Sequence, residues 1–419
     1  MSESLQNTIL DHLEDPHQLE VLYRQDKSAF RKAFSALDQK ISGTAAARFW
    51  KERLAYESDG FNFLSSGDLI FIAVAVLISG TIAKLPQWML WEEDVFIQKN
   101  FSFIFFEMLL YYFAWKEKLS FKTGVLLLVP FVISALFVNW LPLDYKNDLF
   151  ILTCIHLPIV MWSLVGIAFT GALYTSPRKR IEFLKFNGDM LVMIAVLGLA
   201  AGLFSALTFG LFELIGINIQ PFFEYVLVVW GLPAIPIFAA VMVRQIPELV
   251  GRVSPLIAKL FSPLVFITLL VFLISILISG NDPYNDRNFL MVLNAMLIGV
   301  MAIILFSISE FNPKSIHVWS LSILVGLAFL AVLINGIALS AIIYRLSQYG
   351  LTPNRLAVLG SNILIIANLI SVMWPLTGLL FGKKQKEDVE RRISLFLTYY
   401  AIWAAVVAFL FPFIFEILV

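Results

Sequence analysis

From Ser66 onward the chain repeats one pattern: an apolar run nearly free of charge, a short polar break, then another such run. About 20 apolar residues wound as a helix cross the ~30 Å hydrocarbon core of a bilayer. We place these runs at about 67–84, 101–115, 123–141, 149–174, 189–214, 223–243, 260–280, 289–309, 316–343, 358–381 and 393–417. Composition agrees. Hydrophobic residues make up 59% of the 419 and charged residues 14%, against roughly 45–50% and 25% in soluble domains. One or two soluble cores could not hide that much apolar surface, so lipid is the expected solvent. In lipid every backbone N–H and C=O must be satisfied within the chain, which restricts such runs to helices. The expected fold is all-α, a polytopic transmembrane bundle of about eleven spans over 66–419, with a small cytoplasmic helical unit over 1–65.

Charge sorting supports the count. The formal net charge is +0, but Lys and Arg gather between runs. The clusters are Lys116, Lys118 and Lys122; Arg178, Lys179, Arg180 and Lys185; Arg244, Arg252 and Lys259; and Lys383, Lys384, Lys386, Arg391 and Arg392. An even number of runs separates each cluster from the next, which puts all four on one face. Positive charge favours the cytoplasmic side, so the expectation is N-terminus inside and C-terminus outside. The first sixty residues are charge-rich and show no apolar h-region behind a basic start. The first run is therefore read as an uncleaved span.

Within 1–65, Phe30, Phe34, Leu37 and Ile41 form one helical stripe. Asp26 is placed to cap it, Ser42-Gly43 to end it, and a further helix after Thr44 carries Phe49, Trp50 and Leu54.

Polar groups inside the runs are the candidates for function. Glu107 sits mid-run, where an unpaired charge costs at least ~2.5 kcal/mol, so it should face the protein interior or a cavity, with Tyr111 one turn on as partner. It reads either as a protonatable binding group or as a paired structural carboxyl. His156, Ser163 and Thr170 recur every seven residues, and Thr153 and Tyr174 extend that face. It lines a polar path, or its hydroxyls bond across helices and back to their own backbone. Ser361, Asn368, Ser371 and Pro375 make a comparable stripe with Asn362 beside it. Pro233 and Pro236 should break or kink their helix and bare backbone at membrane depth. Together the proline-bearing sixth and tenth runs form the expected central polar site.

In the turn Tyr349–Arg355, Gly350 ends one helix in a left-handed conformation, Thr352 caps the next and Pro353 takes its first turn. Arg345 and Arg355 flank this turn on the face otherwise poor in positive charge. They suit an anionic ligand, pairing with Asp282, Asp286 or Glu224, or an ordinary charged turn.

The YGLTPNR turn and the N-terminal LYRQDKSAF…FWKERL stretch resemble an uncharacterised bacterial family of multi-pass inner-membrane proteins, a domain of unknown function, with a Bacteroidetes-type N-terminal stretch. The resemblance implies a bacterial inner membrane and brings no activity, cofactor or site residue with it.

Absences narrow the function classes. There is no Walker A loop, no G-x-G-x-x-G after a strand, no H-E-x-x-H and no G-x-S-x-G in the sequence. The single cysteine, Cys154, allows neither an intrachain disulfide nor a cysteine metal site, and the four histidines are scattered. We expect no cofactor, no metal and no nucleic-acid partner. Three classes remain: a permease-like transporter or binder of a small solute, a membrane enzyme on a lipid-linked substrate, and a sensor or scaffold whose residues 1–60 engage a cytoplasmic protein. Membrane lipids are partners in all three.

Overall fold

A computed structural model of the chain describes residues 2–37, 41, 43–58, 64–142, 146–171, 176–247, 253–279, 287–309 and 318–416. Among these residues the regular elements are fifteen helices and there is no strand. Ser42, Tyr174, Arg252, Asp282 and Asp286 lie outside the described residues. The chain divides into two compact units, Met1–Ser65 and Ser66–Val419.

The first unit holds α1 (Ser2–Asp11), α2 (Pro16–Gln25), α3 (Lys27–Ala36) and α4 (Ala45–Ser58). Asp15 and Asp26 cap α2 and α3; Asp26 Oδ1 accepts from Ala29 N at 2.9 Å. Thr44 Oγ1 accepts from Ala47 N at 3.1 Å and so caps α4. Phe30, Phe34, Leu37 and Ile41 are buried with Tyr23, Trp50 and Leu54 in one aromatic-rich core. Phe49 is 62% exposed, because one residue's step of about 100° turns it off the face that Trp50 occupies.

The second unit comprises α5 (Ser66–Met89), α6 (Glu93–Lys116), α7 (Phe121–Trp140), α8 (Asp148–Thr170), α9 (Pro177–Leu214), α10 (Gln220–Gln245), α11 (Val253–Ser279), α12 (Arg287–Ser309), α13 (Val318–Tyr349), α14 (Pro353–Leu380) and α15 (Lys386–Phe415). Among the described residues nine of them (α5, α7–α10 and α12–α15) are long and apolar enough to cross a membrane. Helix α6 has the length, 24 residues, but Lys99 and Glu107 interrupt its apolar surface. Helix α11 is apolar over the shorter stretch Leu260–Ser275. The outward surface is greasy: Leu77, Leu136, Leu199 and Leu207 are each at least 60% exposed. Only 11% of the most apolar stretch of α9 is buried. Surfaces of that kind are stable against acyl chains and not against water. The chain is an integral membrane protein in architecture.

Local signals set the helix ends. Ser120 and Asn147 cap α7 and α8 through the Thr123 and Leu149 amides. Gly171, at φ 78°, closes α8 in the left-handed region where a Cβ would be strained. The α13–α14 turn carries Gly350 at φ 76°, with Thr352 as cap and Pro353 in the first turn.

Packing falls into two neighbourhoods. Helices α5, α6, α7, α8 and α10 pack among themselves, as do α11 to α14; α9 and α15 touch both. Among the described residues an extended apolar core lies in the second group, around Leu297, Leu327, Ile334, Leu369 and Leu376. Close approaches need glycine: a Cβ on Gly360 would stand 2.0 Å from the Trp403 ring, and one on Gly80 1.9 Å from that of Trp230.

Two prolines behave differently from expectation. Helix α10 runs unbroken through Pro233 and Pro236. A wide π-turn, Phe223–Val228, comes just before Val229, the residue whose carbonyl the Pro233 ring would crowd. In α15 a second π-turn, Val406–Leu410, precedes Pro412. Pro412 has no N–H to give the Ala408 carbonyl, and Thr153 Oγ1 of α8 donates to that oxygen instead at 3.2 Å.

Candidate functional site

The residues singled out in the sequence do not converge. Glu107 is half-buried on α6, and Tyr111, one turn on, is 44% exposed, with no hydrogen bond between them. Pro233 is buried and Pro236 half-buried, but α10 packs on α5, α9 and α6, whereas α14 packs on α13, α15, α8 and α12. The two proline-bearing helices therefore have different neighbours. His156 Nδ1 lies 2.8 Å from the Leu152 carbonyl of its own helix. Ser163 and Thr170 donate back to Ile159 and Ile167 at 2.7 and 3.1 Å. On that face His156, Ser163 and Thr170 each bond to their own helix, and Thr153 reaches Ala408 O. Arg355 Nη1 donates to the Tyr349 and Gly350 carbonyls at 2.8 and 2.7 Å, closing the end of α13. Arg345 keeps Nη1 buried without a hydrogen-bond partner. Glu224 Oε1 accepts from Gln220 Nε2 at 2.8 Å.

The tenth run fares better, because its amides belong to a polar seam between α12, α13, α14 and α15. Asn362 Nδ2 donates to Asn294 Oδ1 of α12 at 2.8 Å. Asn368 Nδ2 donates to the Tyr400 hydroxyl of α15 at 2.9 Å, and that hydroxyl donates to Met301 Sδ at 3.1 Å. Ser361 Oγ accepts from Trp403 Nε1 at 3.1 Å, and Ser371 is half-buried further along α14.

Asn335 sits in the middle of α13 at 0% exposure, and neither of its amide atoms has a partner among the described residues. It lies about four turns before the Gly350 turn and Asn368 about four turns after it, so the antiparallel pair holds both amides at one depth. The Oδ1 atoms of Asn362 and Asn368 are also buried and unmet.

A second amide pair shows what a purely structural contact looks like. Asn100 on α6 and Asn139 on α7 exchange hydrogen bonds at 3.0 and 2.8 Å, and each spends a further N–H on its own helix. Both side chains gain from the contact, as polar pairs between membrane helices commonly do. The seam instead holds three amide carbonyls and one amide NH2 group without a partner among the described residues. Each unmet group at that depth costs about 1–3 kcal/mol.

The seam is uncharged. Among the described residues Tyr400 is its only ionisable member, so a ligand carrying net charge would meet no counter-ion from them, whereas one rich in neutral donors would fill the open acceptors. Sequence reading found Asn362 and Asn368 and missed Asn294, Asn335 and Tyr400. The legible signal was a lone amide in an apolar run, as in VLNAML and LINGIA. Comparison with known protein families, with curated proteins and with solved structures finds no match to this chain.

Proposed function

We propose that this integral membrane protein is a permease-like binder or carrier of a small, uncharged or zwitterionic, hydrogen-bonding solute, which it engages at the Asn335–Asn368 level of the α13–α14 pair. We place it in a bacterial inner membrane with the basic end of the bundle in the cytoplasm and α15 ending outside. One observation carries the reading: Asn335 is fully buried in the middle of a membrane helix with both amide atoms unmet. Buried polar groups are paired in all but a few cases, and the exceptions mark a site that something else completes. Polar residues held against that cost inside membrane helices are commonly those a solute path uses. The uncharged lining sets the solute class.

Thermal unfolding of the purified protein against polyols, neutral amino acids, nucleobases and monovalent salts tests this. The reading expects one uncharged class to raise Tm in the wild type and to lose that effect in Asn335→Leu and Asn368→Leu. A shift that persists in both variants, or no shift from any uncharged class, would overturn it.

A further inference from the structure

The basic clusters, informative in the sequence only about topology, meet at one end of the bundle. Glu117 at the end of α6 pairs with Arg244 at the end of α10. Lys179 Nζ donates to the Thr170 carbonyl at 2.9 Å, and Arg180 Nη1 donates to Ser394 O and Thr398 Oγ1 at 3.1 and 2.9 Å. At that end a cavity of about 430 Å³ opens between the start of α9, the end of α14 and the start of α15. Arg180, Lys384, Arg391 and Arg392 line it, and Asp388 is its one carboxylate. We propose that this cavity binds a phosphate group, carried by an anionic lipid headgroup or by a soluble phosphate.

The pairing pattern argues for a ligand. Just beside the cavity the cations are neutralised by the chain itself: Lys386 by Glu390 at 3.2 Å and Arg178 by Glu182 at 3.2 Å. The four cavity cations make no ion pair among the described residues. Asp388 is committed elsewhere, its Oδ2 accepting from Gln385 N at 3.1 Å to close the capping box of α15. Like charges gathered around one partly open space repel, weakly where solvent screens them, and an anion held among them removes that cost.

Guanidinium forks match phosphate oxygens in geometry as well as charge. Arg180 is held in place by Ser394 and Thr398 rather than left mobile. The volume lies within the ~300–1,000 Å³ of small-molecule sites. Trp374, 78% exposed, and Leu395, 45% exposed, form an apolar flank to the cations, as where an acyl chain leaves its headgroup; basic pockets between membrane helices recognise anionic lipids in this way. The inference does not depend on the uncharged seam.

Thermophoresis of the full-length protein in a neutral maltoside tests it with three probes: short-chain phosphatidylglycerol, short-chain phosphatidylcholine and inorganic phosphate. We expect phosphatidylglycerol or phosphate to bind, and Arg391→Gln/Arg392→Gln to weaken that binding about tenfold or more. Lys386→Gln, removing a paired cation beside the cavity, should bind as the wild type does. Binding of the glycerol lipid alone assigns a lipid headgroup, of phosphate alone a soluble anion, and of both the phosphate they share; each supports the site. Equal affinity for phosphatidylcholine, no binding of either anion, or equal losses in Lys386→Gln would overturn it. Should the double variant not fold, Lys384→Gln, on an exposed side chain, carries the same test with a severalfold loss expected.

Discussion

Replacing Thr153 with valine keeps the side-chain shape and removes the hydroxyl that donates to Ala408 O. Ala408 is 0% exposed, so no water replaces the lost donor, and Pro412 supplies no N–H. An orphaned carbonyl costs about 1–3 kcal/mol, while hydrogen bonds between membrane helices average about 0.6 and reach about 1.7 kcal/mol. Because Pro412 removes the usual i+4 donor, we expect Thr153→Val to cost about 1–2 kcal/mol, near the top of that range.

Pro412→Ala restores an N–H four residues beyond Ala408. In that background Thr153→Val should cost about 0.5 kcal/mol or less, since the carbonyl regains a backbone partner. The coupling of about 1 kcal/mol is measurable by a double-mutant cycle on reversible unfolding in mixed micelles followed by circular dichroism. Equal costs in the two backgrounds would refute the claim that Thr153 compensates for the proline.

Three further expectations concern separate parts of the molecule. Lys116→Met removes the cation paired at 2.7 Å with the Asp68 carboxylate, which is 1% exposed; unfolding in micelles should show a loss of about 3 kcal/mol, largely recovered in Asp68→Asn/Lys116→Met. Gly360→Ala places a methyl against the Trp403 ring and should cost about 1–3 kcal/mol by overpacking; a neutral result would mean α14 and α15 are not in close contact. The Glu20 carboxyl is held below its ordinary value by its hydrogen bond to Arg24 and the charge of Arg53. That contribution is present above the usual carboxylate range and lost as pH falls through the lowered pKa. It is under about 1 kcal/mol, because the Arg24 side of the pair is largely exposed and screened by solvent. Melts of residues 1–65 between pH 7 and 3 should flatten slightly in Glu20→Gln.

Much of the architecture is written in local patterns. Apolar runs of membrane length, the Asp26 and Thr352 caps and the Gly350 turn depend on a few adjacent residues, and each appears where those residues put it. The site was harder to read. Which face of α14 meets Tyr400 depends on how α15 returns across the bundle, and nothing local encodes that. Thr153 and Ala408 lie 255 residues apart, so the partner of that hydroxyl could not be read from the residues around it. The prolines of α10 misled because the helix continues through both, with a π-turn just ahead of them. The length of α6 was underestimated because Lys99 and Asn100 look like a boundary, yet Asn100 finds Asn139 and the helix continues.

The most direct test of the seam as a solute site uses the single native cysteine. With Cys154→Ala as background, Asn335→Cys, Asn368→Cys and the core control Ala328→Cys are exposed to a membrane-impermeant thiol reagent in sealed proteoliposomes. The account predicts that the two seam positions are modified and that the dry core position is not. Seam cysteines as inert as the one at position 328 would contradict it.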